Sequence, residues 1–366
     1  MSKKILFSSI STVIILIVIG ILSCAPVAKE KAVRSVQKEE EVIVAGTPEE
    51  VEKALQEREA EEAPEKIKIG VIQITLEHEY QVMLNKGFID KAEEMGAEVI
   101  LCVHEMNPEN CVTCGEDLIA AGVKAIICAP GDPASWQAVL AMCRDAGIPL
   151  LNDGSPQPLE EGVVPFIGTD SRGGGNFAGE FAGNWINENL GGSAKVLGLT
   201  LPTFTDCVAR NEGFNEALYA TATGEITLIE ENGHGLREKG LEVGENVLQA
   251  HPDLDVIFGC NDDSALGAMS AAQAAGKDPE KFLVIGFDGT LGAFEEIKKG
   301  GMMRCDIVQQ PYLYAQMHME RAIKIARGEA TIEEYQEIGA LYIQTPVVIM
   351  ENVDEWIEKV SAIMPK

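Results

Sequence analysis

The chain reads as an α/β protein made of two doubly wound parallel-sheet lobes. Short β-branched runs alternate with stretches of helical period from Lys66 onward. Ten such runs follow one another, more strands than one compact lobe usually holds. Strand, crossover helix and strand repeated this often pair in parallel, with helices on both faces of each sheet.

In chain order, residues 1–23 come first, with a basic start at Lys3 and Lys4 and an apolar stretch from Ile5 to Ile21. This is the make-up of an export signal that is removed. It ends in Ile21-Leu22-Ser23-Cys24, which matches the lipobox of bacterial lipoproteins, so Cys24 is the expected lipidation site and membrane anchor. The stretch is almost long enough to cross a bilayer, and a permanent single-span anchor is the alternative. Either arrangement leaves the remainder extracytoplasmic and tethered to the cell membrane. Residues 24–65 carry 12 acidic and 6 basic side chains and almost no large apolar ones, the composition of a solvated tether.

Beyond the tether, strands are predicted over residues 67–75, 98–104, 125–130, 149–153, 166–169, 195–201, 226–231, 256–261, 282–288 and 305–309. Helical period fills most of the intervals, for example residues 80–95 and 136–146. Asp132 before Pro133 has the pairing of a helix cap and first helical residue. Gly173, Gly174 and Gly175 fall at a helix start and predict close packing.

Composition excludes several functions. A net charge of −29 argues against nucleic acid or an anionic lipid surface as partner. No GxSxG turn, HExxH helix, GxxxxGK[ST] loop or strand followed by GxGxxG is present, so no catalytic residue, metal or cofactor is expected. Of the nine cysteines, Cys102, Cys128, Cys260 and Cys305 fall in predicted strands or at their ends and read as small hydrophobes, although the even number left beyond Cys24 could also pair. Cys111-Val-Thr-Cys114 has the spacing of a local disulfide, a metal site or a redox site, and equally fits a purely structural role.

Parallel sheets bind ligands beyond the carboxyl ends of their strands. The polar residues there are Thr75 to Tyr80, Asp132, Asn152 with Asp153, Thr169 with Asp170, Asn261 with Asp262, Asp288, and Gln309 with Gln310. Acids and amides with no strand-end lysine suit a neutral polyhydroxylated molecule, whose hydroxyls both donate and accept. In Gly259-Cys-Asn-Asp-Asp-Ser264, the expected division of labour has Asn261 reaching the ligand while Asp262 or Asp263 starts the helix.

The segments Phe166-Ile-Gly-Thr-Asp170, Ala209-Arg-Asn-Glu-Gly-Phe214, Phe258-Gly-Cys-Asn-Asp-Asp-Ser-Ala-Leu-Gly267, Val284-Ile-Gly-Phe-Asp-Gly-Thr290 and Val308-Gln-Gln-Pro311 carry a resemblance. In this order they resemble the ribose- and galactose-type periplasmic binding proteins, the type I solute-binding components of ABC importers. The resemblance implies a monomer whose two lobes, residues 66–169 plus 310–338 and 170–309 plus 339–366, join through three hinge crossovers near Asp170, Gln310 and Ile338. It implies a sugar or sugar-like ligand clamped by hinge closure and delivered to an ABC permease with its ATPase; a chemoreceptor or sensor kinase is the alternative recipient. Carried over by motif, the ligand-binding residues are Tyr80, Gln81, Asp153, Arg210, Asn261, Asp288 and Gln309. Asp153 and Asp288 would accept from hydroxyls, Arg210 would donate, and the amides would do both. Three positions depart from the pattern: Gln81 replaces a second aromatic, Gly154 replaces an arginine, and no aromatic occurs in His234 to Arg237. A pentose or hexose is expected, with an amino- or otherwise cationic sugar-like ligand as the alternative suggested by Glu77, Glu79, Asp153 and Asp288.

Overall fold

The computed structural model describes residues 66–364; the export signal, Cys24 and the tether lie outside them. The first lobe runs β1 (Ile67–Gln73), α1 (Glu79–Glu94), β2 (Ala97–Val103), α2 (Pro108–Ala120), β3 (Ile126–Cys128), α3 (Pro133–Ala146), β4 (Leu150–Asn152) and β5 (Val163–Val164). These strands form one parallel sheet in the order β2-β1-β3-β4-β5. After β6 (Ile167–Thr169), the second lobe follows with α4 (Ser171–Asn189), β7 (Ala194–Thr200), α5 (Thr205–Thr221), β8 (Ile226–Asn232), α6 (Arg237–Ala250), β9 (Val256–Gly259), α7 (Asp262–Ala274), β10 (Leu283–Asp288), α8 (Leu291–Lys298) and β11 (Met303–Val308). The chain then returns through α9 (Pro311–Ala326) and α10 (Ile332–Ile338) to β12 (Leu341–Ile343), which pairs with β6, and ends in β13 (Val347–Val348) and α11 (Val353–Ile363).

All ten expected strands are present, with ends displaced by no more than two residues. The two-residue strands β5 and β13 and the short β12 have too little alternation to register as a period. β13 also departs from the all-parallel expectation, running antiparallel along the edge strand β11. The second sheet has the order β13-β11-β10-β9-β7-β8. In both sheets the order reverses beside the first strand of the lobe, between β1 and β3 and between β7 and β9, which opens a crevice at the carboxyl ends.

The central strands of each sheet are buried on both faces and are apolar runs without alternation, whereas the edge strands β2 and β8 are partly exposed. On one side of the first sheet, Ile69, Val71 and Ile127 pack with Leu84 and Phe88 of α1 and Met319 of α9. On the other, Ile72 and Ile126 meet Leu118 of α2 and Trp136, Val139 and Leu140 of α3. Asp132 caps α3 in a reciprocal box with Ser135, as its sequence context predicts. The glycines of α4 allow that helix to lie almost backbone to backbone on α5: a Cβ at Gly175 would sit 2.1 Å from the Arg210 carbonyl oxygen.

The cysteines require a correction. Cys102 of β2 is not a free small hydrophobe; it is disulfide-bonded to Cys114 of α2. Cys111, one turn earlier, is a buried free thiol, so the CxxC pair does not close on itself. Residues three apart on α2 share a face, so both cysteines turn toward the sheet, and the register of β2 against α2 brings Cys114 to Cys102. Replacing Cys114 by Ser should lower the unfolding free energy by about 2–3 kcal/mol in a denaturant titration, and reducing the unmodified protein should produce the same loss. Equal midpoints for the two oxidised proteins would show that the bond adds no stability.

Candidate ligand-binding site

Tyr80, Gln81, Asp153, Arg210, Asn261, Asp288 and Gln309 all line one cavity between the lobes. Tyr80 and Gln81 stand in the first turn of α1, and Asp153 follows β4. Arg210 projects from the second turn of α5, and the other three stand where β9, β10 and β11 end.

Arg210 organises the second-lobe side. Its guanidinium is buried, with Nη1 donating to the Cys260 carbonyl (2.7 Å) and Nη2 to Asp206 Oδ2 (3.0 Å). Asp288 Oδ1 lies 3.6 Å from Nη1, and the plane rests 4.2 Å above the Phe287 ring centroid. Burial works against the charge, but the surrounding acids and thiols outweigh it and raise the pKa. Glu212, two residues on, pairs with Arg172 on the surface.

Asp288 accepts from the Asp262 backbone N–H (3.3 Å) and from the Gln309 side-chain amide. The oxygen of that amide accepts from Thr169 of β6 (2.9 Å), so Gln309 ties the sheet end to the crossover. The cap expected at Asp262 or Asp263 is Asn261 instead, which lines the cavity as well. Asn261 itself caps α7 by accepting from Ser264 N–H and donates to the Gly235 carbonyl (2.8 Å). Asp262 turns inward and accepts from the Thr290 N–H (3.0 Å) and hydroxyl (2.7 Å). An Asn-Asp-Asp run offers three chemically competent caps, and only the fold decides which one has extended backbone.

Asp153 is the most exposed energetically and the least exposed to solvent. It is 1 % accessible, and neither carboxylate oxygen has a hydrogen-bond partner. Burial pushes its pKa up to about 7; the Gly154 N–H opposes this from outside hydrogen-bond geometry, and the negative charge of Asp206 adds to it. The nearest basic group, His318 Nε2 at 3.7 Å, gives no relief. That nitrogen donates to the Ile167 carbonyl (2.9 Å), and burial holds the ring neutral with a pKa of about 3.

Three other lining side chains keep buried polar atoms without partners: Gln81 Oε1, Arg210 Nε and His78 Nε2. Phe204, Asp206 and Ser155 also line the cavity and were missed by motif. The strand-end rule could have found the first two, since they follow β7 as Tyr80 follows β1. Phe204 supplies a second lining aromatic beside Tyr80, whose hydroxyl is bonded to that of Tyr314.

The lobes also touch directly. Ser155 Oγ donates to Asp206 Oδ1 (2.8 Å). The Glu79 carboxylate accepts from the backbone N–H groups of Leu291 and Gly292, the latter at 3.3 Å, at the start of α8. An anion there meets unpaired N–H groups and the positive end of the helix dipole.

A family model described as a periplasmic binding protein domain matches residues 69–330. The chain belongs to the periplasmic binding protein family. The ribose import binding protein of Haemophilus influenzae is 33 % identical over 261 residues, which is 70 % of this chain and 84 % of the relative. That of Bacillus subtilis is 32 % identical over 264 residues, 71 % of this chain and 82 % of the relative. Among solved structures, an ABC transporter periplasmic solute-binding protein from Actinobacillus succinogenes with bound D-allose superposes with a TM-score of 0.70 at 26 % identity, covering 79 % of this chain and all of that one.

For this family member, the carboxylate of Asp153 has a definite pH signature. Its pKa in the folded protein, about 7, lies above its ordinary 3.8, so the native state holds a proton that the unfolded chain releases. Folding is therefore penalised above about pH 7, and the penalty fades as pH falls toward 4. Asp153→Asn should be more stable than the unmodified protein at pH 8 by up to about 4 kcal/mol, with the gap closing toward pH 4 in parallel denaturation series. A variant no more stable at pH 8 would contradict an ionised, unpaired Asp153.

Proposed function

We propose that this chain is the extracytoplasmic substrate-binding component of an ABC importer, capturing a sugar or sugar-like solute between its lobes. The observation that carries the reading is the set of buried, unpartnered polar atoms on Gln81, Asp153, Arg210 and His78 around one cavity. Each costs about 1–3 kcal/mol while unpaired. A compact ring bearing several hydroxyls, each both donor and acceptor, satisfies such a set, with Tyr80 and Phe204 offering apolar surface to its faces. The names of the ribose import relatives and the allose-bound structure point the same way.

Closure rotates the lobes about crossovers near Asp170, Gln310 and Ile338, with residues 66–169 plus 310–338 moving against 170–309 plus 339–366. Gln310 has a left-handed backbone (φ 59°) and donates to the Gln344 carbonyl (2.9 Å), which links two of the crossing strands. The closed monomer presents its lobe surfaces to a membrane permease driven by an ATPase. Cys24 carries the lipid that holds it at the membrane.

A thermal-shift panel of pentoses, hexoses, polyols and cyclitols tests the reading. A true ligand at 100 times its Kd should stabilise the fold by about 2.7 kcal/mol. Arg210→Met should abolish that shift, and a panel without any shift would refute sugar binding. Glu79→Gln isolates closure: by weakening the contact to α8 it should speed ligand release about three- to tenfold in stopped-flow, with the association rate unchanged.

A further inference from the structure

Resting on the sugar-binding reading, the geometry points to a narrower ligand class. We propose that the cleft takes a polyhydroxylated ring bearing a protonated amine, an amino sugar or amino cyclitol, with the amine seated against Asp153.

The first ground is charge. Asp153, Asp206 and Asp288 line the cavity, against Arg210 and His78 as the lining basic side chains. Arg210 lies in contact with Asp206 at 3.0 Å and beside Asp288 at 3.6 Å, so its charge is shared between those two. Behind Asp288 stands the buried Asp262; burial first, and this neighbouring acid second, raise the pKa of Asp288. Asp153 is left with no cation of its own: His318 spends its one N–H on the Ile167 carbonyl, and the Asn152 amide is spent on the carbonyl of Ser155 (3.0 Å).

The second ground is the count of donors and acceptors. The unpartnered lining atoms include three acceptors, both oxygens of Asp153 and Gln81 Oε1, and one obligate donor, Arg210 Nε; His78 Nε2 serves in either sense. A sugar hydroxyl brings one donor, whereas an ammonium brings three and no acceptor. A neutral diol could bond Asp153 but would leave its charge uncompensated in a buried site. An ammonium does both, and hydrogen bonds between two ionised groups are the stronger kind. The third ground is space. Beside Asp153, residue 154 is a glycine with φ 78°, and a Cβ there would meet nothing closer than 3.4 Å on Ala129, so no side chain fills the position from which a protein cation could reach the acid.

The test is calorimetry on the full chain with matched pairs: D-glucosamine against D-glucose, D-galactosamine against D-galactose, and an aminodeoxy-inositol against myo-inositol. At least one amine should bind about tenfold or more tightly than its neutral counterpart. Asp153→Asn should erase that preference to within about threefold, because the amine loses more affinity than its neutral counterpart does. Neutral members binding as well as or better than every amine would overturn the amine assignment and leave the sugar reading standing. Binding by no member of either series would overturn both. Should Asp153→Asn fail to give a cooperative melt, the matched pairs on the unmodified protein decide alone.

Discussion

The second-lobe face of the site depends on keeping the Arg210 guanidinium charged inside the protein. A buried cation is costly unless paired and hydrogen-bonded, and removing one member of such a cluster typically costs about 3–5 kcal/mol. Arg210 meets the requirement with two acids, one carbonyl and an aromatic face. Those partners come from α5, the end of β9 and the end of β10, so a single side chain sets the relative position of three elements around the crevice. The position of Arg210 is itself set by glycine: α4 and α5 approach so closely that Gly175 and Gly213 have backbone oxygens where a Cβ would stand. Packing of small residues on one side of the lobe thus determines the electrostatics on the other.

From Arg210 the polar contacts run on without a break to the lobe contact. Asp288 holds the Asp262 N–H, Asp262 holds both donors of Thr290, Thr290 caps α8 by accepting from Ala293, and the next two N–H groups of α8 are taken by Glu79 of the opposite lobe. Burial raises the pKa of Glu79, and the two N–H groups counter this, so the contact forms at a real desolvation cost. Under the proposed hinge closure, such a contact is strong enough to favour the closed form and poor enough to be exchanged for water. Met83 of α1 adds an apolar element, packing with the core of the second lobe.

Much of this was legible in the sequence, for identifiable reasons. Strands such as β1 and β10 are apolar runs of six or seven residues bounded by turns, and parallel pairing follows from the helices between them. The strand-end rule gathered Asp153, Asn261, Asp288 and Gln309 because the ends of parallel strands share one edge. What was not legible depended on choices among equivalent groups. Asn261, Asp262 and Asp263 can each cap a helix, and the extended backbone of Asn261 alone made the selection. Cys102 could be a core hydrophobe or a bonded partner, and only the register of β2 against α2 brings it to Cys114. β13 is too short to carry a period, and its pairing is enforced by the exposed edge of β11.

The acids of the cleft also explain how a site with few aromatics can hold a ring. Stacking contributes surface and orientation but little charge, whereas an unpaired buried carboxylate is a stored penalty that the right ligand removes. Asp153 shows this most plainly: deep burial and a neighbouring acid raise its pKa, and neither oxygen has a partner. The same burial makes any group that neutralises it count for more than it would in water. Selectivity therefore belongs to the ligand's donors more than to its shape. In the proposed complex, a ring lacking a donor opposite Asp153 would desolvate the carboxylate without compensation, and that mismatch discriminates more sharply than one missing apolar contact.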